Sequence, residues 1–128
     1  MSFGWGVGDI MAISNLAVKV YTAYKDAPNE YKNITEEVKS FRIIINKAAQ
    51  HFESSTLSDN DWQEGQTVLN GCQSVLEDLN SFIKKYNRLA SANTSQVFER
   101  VKLGTEDIAT LRARLTSNAA LLSSFIRR

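Results

Sequence analysis

From Pro28 to Phe52 the apolar positions Tyr31, Ile34, Val38, Phe41, Ile45, Ala48 and Phe52 alternate in steps of three and four without a break. A repeat of 3.6 residues returns such positions to one side of a helix, whereas a strand needs a repeat of two. A stripe this narrow is the seam of a helical bundle or coiled coil. Pro28 suits a first helical turn, where its missing N–H costs nothing. Glu30, Glu36 and Glu37 sit early, where the helix dipole favours negative charge. The seam needs partners of similar length, and three more stretches supply them.

Ile10 to Lys25 predicts a helix with Ile10, Ile13, Leu16, Ala17, Val20 and Tyr24 on one face and Met11 and Val18 off it. A helix apolar over so much of its circumference is either central or has a second surface to hide. Asp59 to Ala90 repeats the seam at Trp62, Gly65, Leu69, Cys72, Leu76, Leu79, Ile83 and Tyr86. Ser58 with Asp61 approximates its capping box, and Gly65 and Gly71 are candidate points of close helix approach. After the small-polar linker 91–95, a short helical piece is expected from Gln96 to Leu103, ended by Gly104 as a C′ glycine. Thr105 then caps a last helix from Glu106 to Ile126, with Ile108, Leu111, Leu115, Ala119, Leu122 and Phe125 inward. Residues 1–9 read as an irregular or loosely helical glycine-aromatic arm ending at Asp9, a good N-cap. Short connections imply antiparallel neighbours. The expectation is an all-α, up-down four-helix bundle with an additional short helix before the last long one, one domain over residues 1–128.

Composition fits this picture. At 128 residues, 43% apolar and 23% charged, the chain is long enough to bury a core. Its net charge of +1 argues against a dedicated nucleic-acid binder. The sum hides a gradient: residues 30–83 are rich in acids, whereas 84–128 hold Lys84, Lys85, Arg88, Arg100, Lys102, Arg112, Arg114, Arg127 and Arg128. That asymmetry can steer a basic face toward phosphates or anionic lipid, or hold acidic and basic helices together, which is the simpler use. One cysteine forms no internal disulfide, no signal peptide is visible, and no stretch has the roughly 18–20 apolar residues of a spanning helix.

Candidate chemistry is sparse. His51, the sole histidine, sits late on the seam helix, where a cation complements the dipole. Cys72 lies on the apolar stripe as a small hydrophobe. One His and one Cys make no zinc site, and the adjacent pairs Glu36, Glu37 and Glu77, Asp78 diverge around their helices toward solvent. Gly4-Trp5-Gly6-Val7-Gly8 matches neither GxGxxG nor a P-loop. No enzyme, cofactor or metal is therefore expected. Gly4, Gly8 and Ala12 do form a small-xxx-small pattern, and Phe3 and Trp5 are the kind of side chain that anchors at a bilayer interface or packs against the end of a bundle.

The string GWGVGDIMAISNLAVKVY followed by DAPNEYKNITEEVKSF resembles the start of fungal N-terminal domains that precede the nucleotide-binding domains of STAND-type receptors. Further landmarks are GCQSVLEDL at Gly71–Leu79, KKY at Lys84–Tyr86 and EDIATLRARLTSNAALL at Glu106–Leu122. Together they cover nearly the whole chain, with a departure at Leu103, where many relatives carry tryptophan. Such domains look like the HeLo-like group of helical bundles. That group is similar in turn to the executioner bundle of mixed-lineage kinase-like pseudokinase and to helical signalling domains of plant immune receptors.

The resemblance implies a cell-death or incompatibility effector at the N-terminus of a longer signalling protein. A C-terminal sensor or NTPase domain, in cis or as a partner in trans, oligomerises it, and the bundle moves from the cytoplasm to the plasma membrane and permeabilises it. The residues implied are Phe3, Gly4, Trp5, Gly6, Gly8, Ile10, Met11, Ile13 and Leu16. Lys84, Lys85, Arg88, Arg100 and Lys102 are candidate contacts to anionic lipid, at about 1 kcal/mol each. The rival expectation is a non-lytic interaction or oligomerisation adaptor that works through the bundle surface.

Overall fold

The computed structural model describes residues 6–90 and 94–127, with side chains placed for all of these except 30, 89–90 and 94–107. Four helices account for nearly all of it: α1 (Val7–Lys25), α2 (Lys32–Ser54), α3 (Asp59–Ala90) and α4 (Thr94–Ile126). The chain is an all-α four-helix bundle.

Three boundaries differ from the sequence expectation. α1 begins two residues before Asp9, with Gly6 as its N-cap. Asp9 acts from the third helical position instead, its carboxylate accepting the Gly6 N–H at 2.6 Å while its own N–H donates to the Gly6 carbonyl at 2.9 Å. Pro28 lies outside α2. A 3₁₀ turn, Asn29–Tyr31, follows it, and the Tyr31 N–H donates back to the Pro28 carbonyl at 2.9 Å. The short helix expected from Gln96 to Leu103 is not separate, because α4 runs unbroken through Gly104 and Thr105. One interior glycine costs a helix about 1 kcal/mol relative to alanine, too little to end a run with helix formers on both sides. The Ser58 cap is as expected, its Oγ accepting the Asp61 N–H at 3.1 Å.

The apolar stripes converge on one core. Ile10, Ile13, Ala17 and Val20 of α1 meet Ile34, Val38, Phe41 and Ile45 of α2, Leu69, Cys72, Leu76 and Leu79 of α3, and Leu115 and Leu122 of α4. Consecutive helices run antiparallel. Ser14 lies opposite Asn46 and Tyr24 opposite Thr35 between α1 and α2; Cys72 lies opposite Asn118 and Asp78 opposite Arg114 between α3 and α4. Their arrangement is not a simple ring in chain order. α1 packs along α2 and α3, and α4 packs along the same two helices. α2 and α3 instead face each other across the core, meeting through Phe52 on Trp62. The neighbours α2 and α4 are therefore parallel, with Glu37 beside Arg112 at one level and Phe52 on Phe125 at another. Periodicity says which face of a helix is buried, not which helix covers it.

Each end of the bundle is closed by aromatic rings. At one end Phe52 stacks on Phe125 (5.6 Å, 21°) and leans on Trp62 at 4.8 Å. At the other, Tyr31 meets Phe82 and Tyr86 edge-on at 5.8 and 5.1 Å, and the buried Tyr24 hydroxyl donates to the Leu79 carbonyl at 2.7 Å.

Candidate functional site

α1 is the most apolar of the four helices, and it and α4 are far less one-sided than the strongly amphipathic α2 and α3. Its inner face holds Ile10 and Ile13, which are 0% and 3% exposed, so neither meets solvent or lipid while the bundle is closed. Leu16 is half-buried, Gly6 is half-buried and Gly8 is exposed. Met11 is 41% exposed and Val18, seven residues on, is 38% exposed on the same outward side. Val18 is absent from the sequence-derived membrane residues, although its spacing from Met11 is the signal that joins them. Phe3, Gly4 and Trp5 lie outside the described residues.

The start of α1 and the described basic candidates Lys84, Lys85 and Arg88 lie at opposite ends of the bundle. Antiparallel pairing puts the start of α1 beside the end of α2, where Phe52, Trp62 and Phe125 meet. Lys84, Lys85 and Arg88 follow Phe82 at the end of α3, on the level of Tyr31 and the end of α1. From Gly8 to Tyr24 is about 24 Å at 1.5 Å per residue. Arg100 and Lys102 lie on α4, and their side chains are outside the described residues. The end where α1 starts carries Asp9, Glu53, Asp59, Asp61 and Glu64, with Arg127 as the described basic residue there. The far end carries Lys25 and Lys32 beside the three α3 cations, with Asp26 among them. Among the described side chains, the far end is the one with the net positive charge an anionic surface attracts.

Part of the charge gradient is spent inside the fold. Arg112 of α4 grips Glu37 of α2 with Nε and Nη2 at 2.9 and 2.7 Å. That hydrogen bonding, followed by burial acting against it and the charge of Glu37 acting with it, leaves the Arg112 pKa raised. Arg114 reaches Asp78 of α3 at 2.7 Å. Both pairs join acidic and basic helices as the simpler reading of the gradient has it. Both are about one-third exposed or more, so each contributes at most about 1 kcal/mol. Glu37 and Asp78 thus make interhelical contacts rather than facing only water, while their neighbours Glu36 and Glu77 remain exposed.

Two grooves flank these pairs. One of about 330 Å³ lies between α3 and α4, lined by Asp78, Ser81, Phe82, Lys85, Thr110 and Leu111. Another of about 300 Å³ lies between α2 and α4 over Phe41, Ile44 and Leu115. Both are at the lower limit of ligand pockets. His51 belongs to the last turn of α2 and lies edge-on to Phe52 and Phe125 at 6.1 and 6.0 Å. Among the described residues no three His, Cys, Asp or Glu side chains are grouped to hold a metal ion. No helix among them is long and apolar enough to cross a membrane.

Two buried groups carry a pH dependence. Burial, with a smaller contribution from Tyr31, raises the Tyr24 phenol well above its usual value. Burial likewise pushes the Cys72 thiol up to about 12, against a weaker opposing backbone hydrogen bond. A raised folded pKa means that the unfolded chain loses its proton first. Stability from these groups is therefore complete at neutral pH and falls as pH rises past about 8.5 for the thiol and about 10 for the phenol. We expect the urea midpoint to drop between about pH 9 and 11, and Cys72→Ala to flatten the lower part of that drop. The native thiol should stay unreactive toward a disulfide reagent until the chain unfolds. A flat midpoint, or fast native labelling, would contradict the burial of Cys72.

No family model, curated protein or solved structure matches the chain.

Proposed function

We propose that this domain is a non-catalytic membrane-targeting effector whose α1 enters the interface of a bilayer after self-association. It would rest in the cytoplasm and act at the plasma membrane. The setting is that of a fungal cell-death or incompatibility protein of HeLo-like type, with a sensor or NTPase domain supplied in cis or by a partner in trans. The observation that carries the reading is α1 itself. A bundle helix needs one apolar stripe, yet this one buries Ile10, Ile13, Ala17, Val20 and Tyr24 and still turns two large apolar side chains, Met11 and Val18, outward. Among the described residues, α2 and α4 each expose one, Ile43 and Leu121. Asp9, Asn15, Lys19 and Lys25 are spaced along α1. Apolar side chains beyond the buried stripe give this helix surface that a bilayer interface can take up once the bundle opens.

The separation of charge orders the events. Lys25, Lys32, Lys84, Lys85 and Arg88 offer the first attraction to anionic lipid, each contributing about 1 kcal/mol near the surface and less at high salt. In that orientation the start of α1 points away from the bilayer, so entry of α1 is a second step that follows its release. The test is co-sedimentation with phosphatidylserine-containing and with purely zwitterionic vesicles. Binding to the former, weakened by 0.5 M salt and by Lys84→Glu with Lys85→Glu, is expected. The absence of binding to either, with the domain clustered on a trimeric coiled coil, would leave the adaptor reading in its place.

A further inference from the structure

We propose that Ser14 forms a polar clasp dividing α1 into a releasable N-terminal half and an anchored C-terminal half. Among the described residues, Ser14 is the polar side chain buried in the core, 0% exposed. Its Oγ donates to Asn46 Oδ1 at 2.6 Å and accepts from Arg42 Nε at 3.3 Å, both on α2. Past the clasp, α1 is tied to other helices by two more polar contacts. Tyr24 donates its hydroxyl to the Leu79 carbonyl at 2.7 Å, and Thr35 Oγ donates to the Tyr24 carbonyl at 3.5 Å. Before the clasp the ties are of another kind. The first turn is closed on itself by Gly6 and Asp9, Gly8 is exposed, and among the described residues the apolar packing of Val7, Ile10 and Ile13 fixes this half to the core.

This distribution sets the order of opening. Apolar contacts are non-directional and separate gradually, whereas the Ser14 hydroxyl must leave two directional partners at one point. Among the described residues, opening from Val7 up to Ile13 breaks none of the interhelical hydrogen bonds that α1 makes. Opening beyond Ser14 breaks the clasp and strands part-buried Asn46. Native proteins open in units of unequal stability, and the clasp is the boundary between two such units. The use of the freed half in membrane entry rests on the function proposed above; the boundary itself does not.

Amide hydrogen exchange read by NMR on the 128-residue chain without lipid tests this. The amides of Met11, Ala12 and Ile13, all past the unpaired first turn, are expected to exchange at least about tenfold faster than those of Val20 to Tyr24. Ser14→Ala should speed Asn15, Leu16 and Ala17 about fivefold to tenfold and leave Leu69–Leu79 unchanged. Alanine is the better helix former, so faster exchange there does not come from intrinsic propensity. Asn46→Leu, which removes the acceptor from the α2 side, should give the same local pattern. Equal exchange along α1, or acceleration of all four helices together in both variants, would overturn the clasp. Vesicle binding is scored separately, so either idea can fail while the other stands.

Discussion

Phe52→Ala is expected to lower the unfolding free energy by about 3–5 kcal/mol, the usual cost of removing a buried phenyl ring. Phe52 is 4% exposed and joins three helices at once. From α2 it stacks on Phe125 of α4, leans on Trp62 of α3, and covers Gly65 one turn along α3. The rings around it are large and rigid, so they collapse poorly into the space left behind, and the upper part of the range applies. Domains of this size have about 5–15 kcal/mol in all, so the variant should be marginal at 37 °C. Urea denaturation followed by far-UV circular dichroism measures the change. A loss under about 1 kcal/mol would mean that the aromatic layer is not packed as described.

Gly65→Leu is the second large effect, and here two opposing contributions have to be weighed. Replacing an interior helical glycine gains about 1 kcal/mol of helix propensity. Against that, a β-carbon at Gly65 would run into Phe52 Cζ and lie 2.9 Å from Phe125 Cζ. Those atoms are the far ends of rings, but the rings are stacked on each other and cannot both swing away. Overpacking costs about 1–3 kcal/mol for added methylenes, occasionally more, and leucine adds a whole branched side chain at the point of contact. The clash wins, with a net loss of about 2 kcal/mol or more. Gly65→Ala should fall between glycine and leucine. A stabilised Gly65→Leu would show that α3 and the Phe52 layer are further apart than the structure places them.

These positions also show how far the sequence could be read. The seams of α2 and α3 were legible because each is strictly amphipathic over 23 and 32 residues, respectively. The inward positions from Tyr31 to Phe52 are all buried. Gly65 stood out as a residue too small for its place on an apolar stripe, which is the usual mark of close approach. α4 was harder. Gly104 and Thr105 look like a stop and a start, and local propensity does not register a helix carried through them. The diagonal placement of α2 and α3 was not legible either, since the partner of a buried face is decided by packing among all four helices. Ser14 carried no signal: a serine among apolar residues reads as a neutral helix position until Asn46 and Arg42 are seen beside it. The separation of the basic residues from the glycine end followed only once antiparallel pairing gave each helix end a neighbour.

The most direct test of the account is release of a trapped dye from phosphatidylserine-containing vesicles by the clustered domain, compared with its Met11→Glu, Val18→Glu double variant. Both positions are exposed, so the variant should keep the native helical spectrum and its urea midpoint. The account predicts release by the unsubstituted domain and loss of nearly all of it in the variant. Undiminished release by a folded variant would contradict the role of the outward face of α1. No release by the unsubstituted domain would contradict the effector function itself.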